Sequence, residues 1–143
     1  MFKEDSKGFR RGDVVLADLG TIENKKTKTS VQLGTRPCII TSNDTGNTYS
    51  TIYSVIPLSS ADKKLIKKLP THVEFTTKNS GILMDSISMA EQNTTIDVRQ
   101  ILKKSPLFKV SDEMMLKVDI TILIQQGLDK YFSLEKIEMA YAM

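Results

Sequence analysis

The chain has no tryptophan, one cysteine (Cys38) and one histidine (His72), and no apolar run near the ~18–20 residues that a membrane span requires. Each absence closes off a class of protein. A lone Cys cannot form an internal disulfide, and a lone Cys with a lone His cannot build the usual Cys/His zinc cage, so neither a structural metal nor a cofactor is expected. The opening residues, MFKEDSKGFRR, hold no apolar stretch of the kind a signal peptide needs, so a cytoplasmic protein without membrane association is expected. Also missing are the P-loop glycine pattern, GxGxxG, GxSxG, HExxH and CxxC. What remains is cofactor-free chemistry on a charged substrate, or binding alone.

What is present fits one domain. With 143 residues, 40% hydrophobic and 26% charged, the chain can bury one sizeable core and is too short for two ordinary domains. A single domain over 1–143 is expected, with its core at about 9–126 and a C-terminal helical extension at 127–143. The net charge of +3 is unevenly placed, because the last quarter of the chain is acidic and the body before it is basic. Lysines cluster in NKKTK (Lys25, Lys26, Lys28) and in DKKLIKK (Lys63, Lys64, Lys67, Lys68), where phosphate contacts would suit them. Taken singly, each cluster reads better as solvated lysines on exposed loops.

The pattern along the chain is mostly β. GDVVLADL reads as a strand that ends at Gly20, where the long polar stretch to Gly34 opens. RPCIITS is a second strand, NDTGN an Asn/Asp/Gly turn, and YSTIYSVIPL a third strand that should pair antiparallel with the second. SSADKKLIKK is a loop or single helical turn. THVEF alternates, with Val73 and Phe75 on one face and His72 and Glu74 on the other. ILMDSISMAEQ is strand-like, and TTID leads into VRQILKK, read as a short helix. SDEMMLKVDITILIQQG then predicts a helix with Ser111 as N-cap, Gly127 just past its end, and Met115, Val118 and Ile122 on its apolar face. A second helical pattern, SLEKIEMAYAM, begins at Ser133. The sum is a mainly β (α+β) domain, a small, strongly curved antiparallel sheet or barrel packed on a helix.

Few residues could carry chemistry. Arg36 stands at the mouth of an apolar strand, and its guanidinium offers a planar fork that matches a phosphate; pairing with Asp13 or Asp18 on the neighbouring strand explains it equally well. Ser59 and Ser60 end the third strand, where serines are commonly turn residues. Cys38 shares a strand face with Arg36, but its apolar neighbours favour packing. His72, opposite the buried pair Val73 and Phe75, reads as an exposed histidine that could still carry a proton near neutrality. Glu91 and Gln92 project polar groups from a strand end.

The order RRGDVVLADL, QLGTRP, IITSND, VIPLSS, KLPTHVEF, MDSISMAEQ and TTID resembles the MazF/PemK family of toxin endoribonucleases over about residues 10–104. The resemblance implies an SH3-like antiparallel β-barrel of the CcdB/MazF kind with a C-terminal helix. It also implies a homodimer that cleaves single-stranded RNA at a short sequence without metal and is inhibited by a cognate antitoxin protein. It makes Arg36 and Ser59 the catalytic pair, the latter where relatives commonly carry Thr; neither suits proton transfer at neutral pH, and His72, water or an unusually perturbed Arg36 is left to fill that role. Lys25, Lys26, Lys28, Gln32, Ser60 and Gln92 become the RNA-binding candidates. The other readings are a non-catalytic RNA- or protein-binding barrel and a CcdB-like gyrase poison; the latter relies on a tail with tryptophan, whereas this chain ends in MAYAM.

Overall fold

Apolar β-branched runs in the first 60 residues leave little choice but strands buried on both faces, and the computed structural model forms them. It describes residues 8–21, 30–60, 69–78, 82 and 84–132. The elements are β1 (Asp13–Asp18), β2 (Thr35–Ile40), α1 (Asp44–Tyr49), β3 (Ile52–Ser60), β4 (His72–Phe75), β5 (Ser86–Met89), β6 (Thr94–Asp97), β7 (Phe108–Lys109) and α2 (Asp112–Gln125). Short 3-10 turns occupy Ala90–Gln92, Val98–Gln100 and Asp129–Tyr131. Lys25, Lys26, Lys28, the DKKLIKK lysines and the helix expected from Ser133 lie outside the described residues.

The strands make one curled antiparallel sheet in the order β4-β5-β3-β2-β1-β7, with β6 also paired to β3. β3 organises it. Its first half pairs with β6 (Ile52 with Asp97, Val55 with Thr94), and its last residues pair with β5 (Leu58 with Ser88, Ser60 with Ser86). β5 and β6 are thus one strand interrupted by the 3-10 turn at Ala90–Gln92. Val14, Ile39, Ile56 and Leu58 pack on one side with Met114, Met115 and Val118 of α2. The alternate residues Val15, Ala17, Cys38, Ile40, Tyr53 and Val55 pack on the other side with Phe9, Ile96 and Val98. Phe9 meets Tyr53 edge to face, with ring centroids 6.2 Å apart.

Local chemistry explains the boundaries. Ser111 caps α2 by accepting from the Met114 N–H, and Gly127, at φ +69°, supplies the left-handed residue that ends it. Met115 and Val118 are buried and Ile122 packs against the core, as the periodicity requires. Arg11 fixes α2 to the sheet by pairing with Asp119 and donating to the Thr41 carbonyl.

Three expectations need correction. NDTGN is not a bare turn: Asn43 accepts from the Gly46 N–H and starts α1, so Tyr49 belongs to a helix and β3 begins only at Ile52. VRQILKK gives one 3-10 turn, capped by Asp97, rather than a helix. The two-residue β7 was not foreseen, because a pair as short as Phe108–Lys109 has no periodicity to read.

Candidate active site

The site is built where β2 and β3 part. Their ladder runs Ile40 with Val55, Ile39 with Ile56 and Cys38 with Pro57, and there it stops. Pro57, and Pro37 one step further, have no N–H with which to continue it. Carried on by two residues, the same register sets Ser59 opposite Arg36, on the face that buries Cys38 and Tyr53. On its other side Ser59 pairs with Ile87, which pairs with Glu74.

Arg36 is half-buried and is not in an ion pair with either candidate acid. Asp13 accepts from the Arg10 N–H and faces Lys109 at 3.4 Å, while Asp18 accepts from the Gly20 N–H. The Arg36 Nε–H donates instead to the Leu33 carbonyl at 2.8 Å. The two terminal nitrogens carry no hydrogen bond among the described residues, which leaves their donors uncommitted. Ser59 complements it, since its Oγ is enclosed and also has no hydrogen-bond partner among the described residues. Arg36 and Ser60 both border a cleft of about 450 Å³ with Pro37, Leu58, Met84 and Phe108, which Ser59 does not line.

Cys38 is packing material. Burial pushes its thiol up to about 12 against the opposing pull of Arg36, so it is no nucleophile at neutral pH. His72 differs from expectation in exposure: its side chain is only 7% exposed, because Glu91 folds over it. The His72 Nδ1 accepts from the Leu69 N–H at 3.4 Å, which makes Nε2 the protonated nitrogen, and Nε2 donates to Glu91 at 2.8 Å. Burial alone would raise the Glu91 carboxyl, but hydrogen bonds from His72, its own backbone N–H and Thr71 outweigh it and hold Glu91 below the usual carboxylate range. His72 pairs with Met89, two residues along the strand from Ile87 and two strands over from β3. From strand geometry it stands roughly 12 Å from Ser59.

Gln32 and Gln92, far apart in sequence, are brought together. The Gln92 side chain accepts from the Gln32 N–H at 3.0 Å and donates to the Ser30 carbonyl at 2.7 Å, so one amide clamps the segment that leads into β2. The Gln32 Oε1 is buried without a partner among the described residues. Gly20 and Gly34 close the neck of the long β1–β2 connection, the Gly34 N–H donating to the Gly20 carbonyl, and both adopt the positive φ that favours glycine. Sequence reading missed two partners of the site, the Leu33 carbonyl and the grip of Glu91 on His72. A backbone acceptor leaves no side-chain signature, and the Glu91 pairing depends on the turn that breaks β5 from β6.

Among the described residues no three acidic, Cys or His side chains gather so as to hold a metal ion, and no helix is long and apolar enough to cross a membrane.

Comparison with known proteins places the chain in a family. Residues 10–125 match the profile of PemK-like, MazF-like toxins of type II toxin-antitoxin systems. The chain is 38% identical over 123 residues to the endoribonuclease MazF of Staphylococcus epidermidis, covering 86% of this chain and 95% of that protein. Its fold is similar to that of a mycobacterial endoribonuclease solved with its cognate antitoxin (TM-score 0.65, 20% identity, 84% and 96% of the two chains). It is also similar to MazF of Deinococcus radiodurans (TM-score 0.64, 16% identity, 83% and 96%).

Proposed function

The chain belongs to the PemK-like, MazF-like toxin family of type II toxin-antitoxin systems and is an endoribonuclease, and from this premise we propose that it cuts single-stranded RNA at a short sequence without a metal ion. The observation that carries the reading is the end of the β2–β3 ladder at Cys38 and Pro57, two residues beyond which stand Arg36, whose terminal nitrogens have no hydrogen bond among the described residues, and Ser59, whose enclosed Oγ has none either.

RNA brings its own nucleophile. Attack of the ribose 2′-OH on the adjacent phosphorus forms the 2′-O–P bond and breaks the bond to the 5′-oxygen, leaving a 2′,3′-cyclic phosphate and a 5′-OH. As the phosphorane forms, negative charge builds on its non-bridging oxygens, and the terminal N–H groups of Arg36 stabilise it. With Nε held by Leu33, the guanidinium cannot swing freely, so the fork is oriented before RNA arrives. Ser59 donates its hydroxyl to the same phosphate and fixes it for in-line attack. Its Oγ is enclosed, so RNA binding has to open the site around it.

The 2′-OH proton has to leave and the 5′-oxygen has to gain one. Both nitrogens of His72 are engaged away from the Arg36–Ser59 row, which favours water rather than His72 as the carrier. Gln32, Gln92 and Ser60 flank the row, and together with Lys25, Lys26 and Lys28 they form the RNA-binding surface in this proposal. The protein acts as a homodimer, and a cognate antitoxin blocks it by competing with RNA for the basic surface. The relatives solved with their antitoxins support that partner.

The test is digestion of a mixed RNA pool in EDTA by protein freed of antitoxin, with mapping of the new ends. Recurrent cuts that carry 5′-OH and 2′,3′-cyclic phosphate, blocked by a 2′-deoxy sugar at the cut nucleotide, are expected. No cleavage, or ends that carry 5′-phosphate, would overturn the reading.

A further inference from the structure

His72 joins the two segments that flank the row. On one side its Nδ1 accepts from the N–H of Leu69, three residues ahead of it at the approach to β4. On the other side its Nε2–H donates to Glu91. Glu91 is held a second time by the Thr71 hydroxyl at 3.0 Å, and the 3-10 turn that carries it is pinned where the Ala90 N–H donates to the Thr71 carbonyl at 3.0 Å. The next residue of that turn, Gln92, is the one whose amide clamps Ser30 and Gln32. One residue past that clamp, the Leu33 carbonyl receives the Arg36 Nε–H. Hydrogen bonds and two peptide links, Glu91 to Gln92 and Gln32 to Leu33, therefore connect Leu69 and His72 to the backbone that orients Arg36.

We propose that His72 and Glu91 are a positioning pair, which sets the Gln92 clamp and through it the Ser30–Leu33 segment against which RNA and Arg36 are aligned. The pair touches no reacting atom. Three observations favour this role over proton transfer. The imidazole is nearly enclosed, both its nitrogens are in use, and its partner carboxylate is committed to hydrogen bonds from His72, Thr71 and its own backbone. Gln92 sits at the break between β5 and β6, where no strand ladder holds it, so its position depends on what grips the turn. In an uninterrupted strand the same pair would be redundant.

The activity arm of the test rests on the endoribonuclease reading above; the exchange arm does not. Without RNA, Glu91→Ala should speed amide hydrogen exchange at Gln32, and His72→Ala at both Leu69 and Gln32, by about 10-fold or more, while core amides such as Ile39 keep their protection. With RNA, each Ala variant should raise KM about 10-fold with a smaller loss in kcat. The double variant should be no worse than the worse single, because both break one chain of bonds. His72→Gln keeps a donor for Glu91 but cannot carry a proton near neutrality; it should stay within about 3-fold of the unsubstituted protein with an unchanged pH–rate profile. If an Ala variant unfolds, core protection falls with the rest, and His72→Gln decides alone. Unchanged exchange at Gln32 in folded Glu91→Ala, additive losses in the double variant, or a His72→Gln protein that has lost one limb of its pH profile would each overturn the proposal.

Discussion

The β1–β2–β3 sheet buries both faces, but the faces finish differently. Under α2, Val14, Ile39, Ile56 and Leu58 are sealed by Met114, Met115 and Val118. On the opposite face Cys38, Tyr53 and Val55 are as fully buried, yet the row beyond Cys38 and Pro57 ends in Arg36 and Ser59. Among the described residues each face also holds one orphan hydroxyl. On the α2 face it belongs to Ser88, between Leu58 and Val73 in register; on the other it belongs to Ser59, two residues past the end of the ladder, as Arg36 is on β2. An enclosed unpaired hydroxyl costs on the order of 1–3 kcal/mol wherever it stands. The contrast teaches that an orphan polar atom is not by itself a site. It becomes one where a second group with spare donors converges on the same space.

The largest effect expected from this contrast is on Arg36. Arg36→Ala should lower cleavage by about 10³-fold or more, roughly 4 kcal/mol of transition-state stabilisation, because it removes the charge that meets the phosphorane. Stability should move by under about 1 kcal/mol, since among the described residues the one side-chain hydrogen bond lost is that to the Leu33 carbonyl. Single-turnover cleavage and thermal melting of the same preparation separate the two. A variant that still cleaves at a tenth of the normal rate would remove Arg36 from the mechanism.

The α2 face should behave in the opposite way. Ile39 is fully buried in the cluster that α2 covers, and Ile39→Ala should cost about 2–5 kcal/mol of stability through lost burial and the cavity left behind. Activity per folded molecule should stay within about 3-fold, measured well below the lowered melting temperature and normalised to folded protein by near-UV circular dichroism. Loss of activity without loss of fold would mean that the two faces are mechanically coupled, and the comparison would have to be redrawn.

The same division governs what could be read from sequence. The β-branched runs around Val14, Ile39 and Ile56, and the capped, periodic stretch from Ser111 to Gly127, announce strands and a helix because burial and capping are written in residue type. Arg36 was conspicuous for the converse reason, a charge where the pattern calls for an apolar residue. Family resemblance, rather than spacing, singled out Ser59. Its orphan state and its place past the point where a ladder stops at two prolines are properties of pairing between strands. His72 was misjudged as exposed because alternation within β4 is indifferent to the Glu91 side chain that arrives from a 3-10 turn 19 residues later. Local pattern gives the face a side chain is on; it does not give what lies over that face.

The smallest and most discriminating effect compares the two orphan hydroxyls directly. Ser59→Ala and Ser88→Ala each remove an enclosed oxygen without a partner and leave a methyl group, so neither should lose stability and each should gain up to about 1 kcal/mol, read as a small rise in melting temperature. Their activities should part. Ser88→Ala should cleave RNA at the normal rate, because no charged group stands in register with it. Ser59→Ala should fall about 10- to 100-fold, roughly 1.4–2.7 kcal/mol, the range in which one hydrogen bond to a charged phosphate lies. Ser59→Thr keeps the hydroxyl and adds a methyl that restricts its rotamers, so it should cleave at least as fast as the unsubstituted protein if the enclosure can admit one more carbon. Equal activity in the Ser59 and Ser88 alanine variants would show that the hydroxyl beside Arg36 is as idle as the one under α2, and would leave the guanidinium as the sole contribution of the β2–β3 edge to catalysis.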